Sequence, residues 1–314
     1  MGISQKFQAV LFGLISLSLP LSADLCGQQP APTASGSDVP EGWYVYPSSR
    51  LNNLDTQQCF NYSEDQWQVT SDGGSIKITK VARRIIKAPS LPPLWKPQPD
   101  SPPGLTTTVQ FPNAWLLAFD AGEFGGGLWL TNQDGSAAKP ILTDNVQAIV
   151  PLNGSVLVLS GLVHGLLDFG NAYIFSVPDK LDMSLQFTAH LDSAPRAHTR
   201  ESDHSVLVAT KNGLSRIMTS GTQEELFHFP KWVREQDEKS IVEKSDVVYL
   251  GGSRPNSIAL GSNGTVFVGM SLFVLRLRKS STGYIEDWLL PNSCRRFQTT
   301  FEAEKTSVSC ICTP

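Results

Sequence analysis

The most unusual segment with chemical potential is a glycine-rich loop that carries two carboxylates. Asp120 and Glu123 lie in the stretch DAGEFGGG between two strongly apolar runs, so this stretch is predicted to be a loop. Glycines permit positive φ and close backbone approach, and two carboxylates can act as an acid/base pair or as oxygen ligands for a hard cation. A connection with solvated or turn-capping acids is the favoured alternative, because the loop has no obligatory ligand spacing.

A histidine and a further carboxylate follow a later apolar run. His164 and Asp168 lie in the stretch HGLLD, which is predicted to reach a central channel. A neutral imidazole suits zinc binding or general base catalysis. No histidine pair has the spacing of a helical zinc motif, so surface histidines are the favoured interpretation. The sequence thus predicts no cofactor, with a divalent metal as the alternative.

A short turn before another apolar run is a candidate for ligand binding. Arg254 and Asn256 lie in the stretch RPNS and are candidates for contacting a ligand near the axis of the fold. The alternative is a turn in which Asn256 binds its own backbone. No Gly-x-Ser-x-Gly elbow accompanies these residues, so the sequence offers no candidate nucleophile.

The elements that must position these residues form a recurring pair of strands beyond residue 103. Aligning the copies at Ser155, Ser205 and Thr265 gives steps of 50 and then 60 residues. Repeats of this length that hold several antiparallel strands are typical of propeller blades. The first strands of the pairs are predicted at 114–119, 153–159, 205–210 and 263–269, and the second strands at 127–130, 172–177, 214–218 and 273–277.

The strand Gly264–Gly269 (GTVFVG) resembles those of bacterial β-propellers built from YVTN, NHL or WD40-like repeats. This resemblance covers roughly residues 110–290 and implies an all-β propeller of about five to seven irregular blades, with no particular activity. A β-sandwich is the alternative, since it also has short strands at regular spacing. The uneven steps predict insertions at 192–202 and at 231–244, the latter as a short surface helix.

The first 23 residues have the order of a secretory signal peptide. Lys6 precedes an uncharged apolar run at 7–21, and Ala23 is the expected last residue before cleavage. The run is shorter than the roughly 20 residues of a membrane span, and no later run is long enough. The sequence therefore predicts an exported protein, periplasmic or extracellular, with no transmembrane segment in the mature chain.

The mature chain is predicted to hold one domain behind a short lead-in. Residues 24–42 are polar and rich in Pro, Ala, Ser and Gly, which is typical of a flexible segment. Residues 43–314 are expected to form a single propeller-like domain. Within it, 88–103 is so dense in proline that it is predicted to be an extended linker outside the sheets.

The cysteine pattern agrees with an oxidising compartment, in which disulfides are expected. Two pairings are suggested by position: the N-terminal cysteines with each other, and Cys294 with either of the two that follow it. One cysteine is then left over. The five cysteines are Cys26, Cys59, Cys294, Cys310 and Cys312.

The net charge of the chain limits the kind of partner it is expected to bind, and the candidate site residues are compatible with two functions. The formal net charge of -4 argues against nucleic acid as the main partner. The favoured hypothesis is a non-enzymatic exported propeller that binds a protein or a small ligand. The alternative is a metal-assisted hydrolase or lactonase-like propeller, which requires its ligands to converge at one place. Its candidate residues are Asp120, Glu123, His164 and Asp168.

Overall fold

The protein is described by a computed structural model in which every described residue belongs to the compact unit Thr33–Pro314. The predicted leader, Cys26, Cys59 and the helix predicted at 231–244 lie outside the described residues. The described residues are 39–47, 63, 65–81, 89–165, 167–229, 254–302 and 307–313.

Strands supply almost all of the regular structure in these ranges, and the one helical element is a 3-10 turn at Gly122–Phe124. No helix in the described ranges is long and apolar enough to cross a membrane. The strands are β1 (Trp43–Tyr46), β2 (Trp67–Asp72), β3 (Ser75–Lys80), β4 (Leu105–Phe111), β5 (Ala114–Asp120), β6 (Gly126–Asn132), β7 (Ala138–Leu142), β8 (Val146–Leu152), β9 (Ser155–His164), β10 (Leu167–Ser176), β11 (Leu185–Leu191), β12 (Ala197–Ser202), β13 (Ser205–Ala209), β14 (Gly213–Met218), β15 (Gln223–His228), β16 (Ser257–Leu260), β17 (Val266–Gly269), β18 (Val274–Ser280), β19 (Gly283–Pro291), β20 (Arg296–Glu302) and β21 (Ser307–Thr313).

Four consecutive antiparallel sheets form the body of the molecule, and each is built from four strands that follow one another along the chain. We call them blade 1 (β4–β7), blade 2 (β8–β11), blade 3 (β12–β15) and blade 4 (β16–β19). Strand β1 adds a fifth strand to blade 4 by pairing with β19. Two further hairpins, β2–β3 and β20–β21, complete the strand set.

Each sheet buries its faces against the sheets before and after it. Leu116 and Val158 share a cluster between blades 1 and 2, and another cluster joins blades 2 and 3. Others join blade 3 to blade 4 and blade 4 to the hairpin β2–β3. Such serial stacking of small sheets is a β-propeller, as predicted, and differs from the two facing layers of a sandwich. Four blades and one hairpin make five successive units in the described part of the chain.

The middle strands of each blade explain the repeat seen in the sequence. Every residue of β13 and β17 is buried, since these strands have neighbours on both faces and on both edges. The first strand of blade 3 is more polar: β12 alternates buried or half-buried residues with exposed ones. The insertion predicted at 192–202 is therefore wrong, because this segment leads into β12 and forms the first strand of blade 3.

One face of the propeller carries the starts of the first strands and the turns between second and third strands. We call it the strand-start face. Hydrogen bonds there link blade 1 to blade 2 and blade 2 to blade 3: Asn145 Nδ2, before β8, donates to the Gly122 carbonyl at 2.9 Å, and the Ala194 N–H, before β12, donates to Asp168 Oδ1 at 2.8 Å. The opposite face carries the remaining turns within the blades.

The two ends of the domain are tied together on blade 4. Strand β1 lies beside β19, and the Tyr44 hydroxyl donates to the carbonyl of Cys294 at 3.0 Å. A disulfide joins Cys294 to Cys312 and so fixes β21 to the same blade. Of the two partners left open for Cys294, the structure selects Cys312.

The proline-dense segment makes no strand between residue 89 and the start of β4. It nevertheless packs on blade 1, where the rings of Trp95 and Trp129 lie 6.3 Å apart in an edge-on arrangement. The Leu94 N–H donates to the Asp134 carbonyl at 2.7 Å. This segment covers the face of blade 1 that no other described blade covers.

Candidate functional site

All six candidate residues lie on the strand-start face. Two of them occupy the turn between β5 and β6, two flank the turn between β9 and β10, and two precede β16. The shared location follows from the blade repeat, because equivalent turns of successive blades reach the same face. The residues are Asp120 and Glu123, His164 and Asp168, and Arg254 and Asn256.

The hairpin β9–β10 separates these candidates into two groups. Side chains alternate between the two faces of a strand, so His164 lies on the same face as Val158, which packs against blade 1. Asp168 is paired with Val163, on the same face as Leu159, which packs against blade 3. The histidine and the aspartate therefore belong to different blade interfaces.

Glu123 and His164 form an exposed pair on the blade 1 side. The distance from His164 Nε2 to Glu123 Oε2 is 3.0 Å, and the two side chains are 57% and 46% exposed. Asp120 does not join this pair through any described contact: its Oδ1 accepts the Gly122 N–H at 3.0 Å and caps the turn. The loop thus combines a capping acid with one solvated imidazole–carboxylate contact.

Exposed apolar side chains adjoin this pair along the chain and in the strand register. Phe124 follows Glu123 directly and is 78% exposed. Leu167, the register partner of His164, is 55% exposed, and Phe169 is 43% exposed on the same side of β10. We call these three residues the tip surface. Clustered exposed apolar side chains, unlike scattered ones, are a mark of interaction sites.

Asp168 is the centre of a charged cluster on the blade 3 side. Its Oδ2 lies 3.0 Å from Lys211 Nζ and 3.8 Å from Arg196 Nη2. Its Oδ1 accepts the Ala194 N–H at 2.8 Å. The carboxylate is only 10% exposed, whereas the two cations are about a quarter exposed at 28% and 24%.

Arg254 adds a further positive charge near this group. Burial lowers the pKa of Arg196, Asp168 opposes that shift, and repulsion from Arg254 adds to it. Strands β12 and β16 contact each other, so Arg254, which precedes β16, lies at the same end of the first strands as Arg196, which precedes β12, and it is itself exposed. We call Arg196, Lys211 and Arg254 together the cationic cluster.

Glycines hold the cluster in place by allowing a close backbone approach. A Cβ on Gly170 would lie 2.6 Å from the Ser193 carbonyl oxygen, and one on Gly161 would lie 2.8 Å from Pro195 Cδ. Only glycine lets the segment before β12 lie directly on the hairpin. This contact sets the position from which Arg196 reaches Asp168.

Asn256 has a structural environment at the start of β16. Its Oδ1 accepts the Ser257 hydroxyl at 2.8 Å, and Ser257 Oγ accepts the Val69 N–H from the hairpin β2–β3 at 2.9 Å. Its Nδ2 is buried and has no hydrogen-bond partner among the described residues. Asn256 therefore helps to join blade 4 to β2, while Arg254 remains at the surface.

Sequence reasoning did not identify two members of the cationic cluster or a second polar network. In that network, on the blade 1 side, Asp144 Oδ2 accepts Ser160 Oγ at 2.7 Å, Tyr173 Oη at 2.8 Å and Asn171 Nδ2 at 3.2 Å. Burial, and then Asp144, raise the pKa of Tyr173 to about 12. A usable signal existed for Arg196, since it precedes the first strand of a blade as Arg254 does.

The described residues contain no group of three or more His, Cys, Asp or Glu side chains arranged to hold a metal ion. The candidates that sequence reasoning assigned to a metal-assisted reaction are instead divided. Glu123 and His164 contact each other, while Asp168 is engaged by Lys211 and a backbone N–H.

No protein-family model matches the chain, and no curated protein matches it either. Among solved structures, the chain is similar to three β-propeller proteins. The N-terminal domain of Nup159 is 12% identical with a TM-score of 0.37, over 59% of this chain and 48% of that one. The chain thus spans about half the length of that structure.

Two more of the similar structures are bacterial. A gluconolactonase from Xanthomonas campestris, XC5397, is 12% identical with a TM-score of 0.31, over 60% of this chain and 56% of that one. A virginiamycin B lyase from Staphylococcus aureus is 14% identical with a TM-score of 0.34, over 71% of this chain and 69% of that one. The assignment of the fold rests on the blades described above.

Proposed function

We propose that this chain is an exported, non-enzymatic binding module that takes a protein partner or a small ligand at its strand-start face. The observation that carries this proposal is the separation of the candidate residues onto two sides of one hairpin. Acid/base or metal chemistry needs its groups within reach of one reacting atom, whereas a binding surface can use separate charged and apolar patches.

The tip surface supports the same proposal. Phe124, Leu167 and Phe169 are large apolar side chains at the end of two loops, where they contribute little to the blade cores. Aromatic residues are enriched at the centres of protein interfaces, where their burial supplies much of the binding energy. Export is supported by the predicted leader, and the Cys294–Cys312 disulfide suits an oxidising compartment.

Cross-linking and capture with the tagged full-length gene product in its source organism tests this function. In the variant Phe124→Ser/Leu167→Ser, partner capture should fall by about fivefold or more, because two apolar anchors are lost. Leu185→Ser is the matched control, since Leu185 is 54% exposed at the opposite face. A partner set that is the same for wild type and both variants would contradict binding through the tip surface.

A second function, metal-assisted hydrolysis, is favoured by one specific observation, the 3.0 Å contact between His164 and Glu123. Imidazole and carboxylate are both ligands for Zn²⁺. Calorimetric titration of the purified mature protein with Zn²⁺ separates the two functions. Tight binding that is lost in both His164→Gln and Glu123→Gln would favour the hydrolase, and the absence of such binding favours the binding module.

A further inference from the structure

We infer that the cationic cluster binds an oxyanion, namely a carboxylate or phosphate group of the ligand. This inference rests on the proposed binding function of the strand-start face and names the chemistry of one part of its ligand. Four charged groups are involved: Arg196, Lys211, Arg254 and the single carboxylate of Asp168.

The first argument is the imbalance of charge. Arg196 and Lys211 both contact the one carboxylate of Asp168, and Arg254 lies at the same end of the neighbouring first strand, so three cations share this end of the blades with one carboxylate. Asp168 supplies only one negative charge, which is already shared between the Ala194 N–H at Oδ1 and Lys211 Nζ at Oδ2, 3.0 Å away. A partly buried excess of like charge is costly unless an anion accompanies it.

The second argument is the state of Arg196. Its Nη2 lies 3.8 Å from Asp168 Oδ2, which is beyond hydrogen-bond distance. Among the described residues, no side chain or carbonyl accepts a hydrogen bond from this guanidinium, and its Nε is buried without a partner. Since a guanidinium is a planar fork that matches carboxylate and phosphate oxygens, the unused terminal N–H groups suit an external oxyanion.

The third argument is that the backbone that carries two members of the cluster, Arg196 and Lys211, is held in place by packing. Pro195 precedes Arg196, and the segment before β12 is pressed onto Gly161 and Gly170 at distances that admit no side chain. Lys211 is fixed by the turn between β13 and β14, where its backbone N–H lies 3.4 Å from Ser193 Oγ. A site whose donors are already in place loses less entropy when it binds.

Exposure distinguishes this group from the other ion pairs of the chain. Arg276 and Asp287 form a buried pair in blade 4, where Arg276 is 1% exposed and out of reach of a ligand. Arg216 is engaged by two carboxylates, Glu201 and Glu224. The cationic cluster combines a surplus of cations with access from solvent at the strand-start face.

The test is calorimetric titration of the purified mature protein at low ionic strength with two separate probes, inorganic phosphate and succinate. At least one probe should bind with a Kd of about 1 mM or tighter. Arg254→Gln should weaken this binding about tenfold, the effect of losing one charge-assisted contact. Binding of one probe alone would assign the group as phosphate or carboxylate.

Two further variants make the test specific. Arg200→Gln removes an equivalent charge from β12, where Arg200 pairs with Asp203 near the opposite face, and should leave the affinity within about twofold. Asp168→Asn keeps an acceptor for Ala194 and removes the competing charge, so it should tighten binding about threefold or more.

The inference is overturned if neither probe binds up to about 10 mM, or if binding is the same in wild type and Arg254→Gln. Its failure can be distinguished from failure of the proposed function. If the tip-surface variant loses its partner while no anion binds, only the assignment of the cationic cluster is wrong. If an anion binds as expected and no partner depends on the tip surface, the cluster assignment stands alone.

Discussion

The two sides of the hairpin β9–β10 use similar residue types for different purposes. On the blade 1 side, Glu123 and His164 meet in solvent beside exposed apolar side chains. On the blade 3 side, Asp168 is nearly buried, bonded to a backbone N–H and next to two cations. Of the two carboxylates beside this hairpin, Glu123 from the β5–β6 turn is thus solvated, whereas Asp168 of the hairpin itself is structural.

The difference follows from how closely each side is covered. Glycines at 161 and 170 let the segment before β12 lie directly on the blade 3 side. Nothing among the described residues covers the tip surface in the same way. Proximity along the chain therefore does not decide whether His164 and Asp168 can act together, because strand alternation sends them to different interfaces.

Filling the tight contact on the blade 3 side should have the largest effect. Gly170→Val places a side chain 2.6 Å from the Ser193 carbonyl oxygen, and it should lower the free energy of unfolding by about 3 kcal/mol. Gly165→Ala at the open hairpin turn is the control. It meets no atom within 4 Å but has a φ of +56°, so it should cost about 1 kcal/mol. Urea denaturation measures the free energy of unfolding of both variants. Equal losses in the two would contradict the claim that the blade 3 side is the more tightly covered.

Removing either Asp168 or Glu123 should give the next largest difference in the free energy of unfolding between the two sides. Asp168→Ala leaves the Ala194 N–H without its acceptor and the two cations unneutralised, so it should cost about 2 kcal/mol. Glu123→Ala breaks an exposed contact and should cost no more than about 0.5 kcal/mol. Denaturant unfolding of the two variants at neutral pH compares them, and a loss for Glu123→Ala that matches Asp168→Ala would break the comparison.

Raising the pH should lower the stability of the fold through Tyr173, on the blade 1 side of the hairpin. The pKa of Tyr173 is raised to about 12 by burial and by Asp144, so the folded protein keeps this proton when the unfolded chain loses it near pH 10. Its stabilising contribution is complete below about pH 10 and is lost as the pH rises towards 12. Tyr173→Phe should lose less stability than wild type across this window in equilibrium unfolding. Parallel losses in the two proteins would contradict this role of Tyr173.

Lowering the pH should reduce the stability of the fold through His198, on the blade 3 side of the hairpin, and this effect should be smaller. His198 lies in β12 opposite Val208, which packs towards blade 2. The residue is exposed, and partial desolvation by the surrounding protein atoms lowers the pKa of its ring. The contribution of the neutral ring is complete above about pH 6.5 and falls as the pH drops below that value.

His198→Gln should flatten the fall in unfolding free energy between pH 7.5 and 5.5, as measured by urea denaturation, while the exposed His204→Gln controls for loss of a histidine. A fall that is as steep in His198→Gln as in wild type would show that the acid-sensitive group lies elsewhere.

Much of the fold could be predicted from the sequence because the middle strands of the blades are apolar on both faces. The predicted runs at 114–119 and 205–210 correspond to β5 and β13, which are second strands. First and fourth strands were harder to recognise: β12 was interpreted as an insertion, since its alternating polar residues and short length resemble a surface loop.

The face on which the candidate residues lie could be predicted from the sequence, whereas their grouping could not. The candidates at 120, 123, 164 and 168 do share one face, because each lies in or beside a turn between apolar strands. Their division depends on which face of β9–β10 each side chain occupies and on which blade packs against that face. Spacing along the chain gives the face, but it does not give the blade that packs against it. Lys211 was missed because a lysine beside Asn-Gly has the sequence of an ordinary turn.

The separation of the two groups is the central claim, and a double-mutant cycle between them tests it most directly. Free energies of unfolding are measured for Glu123→Gln, Asp168→Asn and the combination. Independent groups should give additive losses within about 0.5 kcal/mol. A coupling above about 1 kcal/mol would place both carboxylates in one interacting centre and contradict the account.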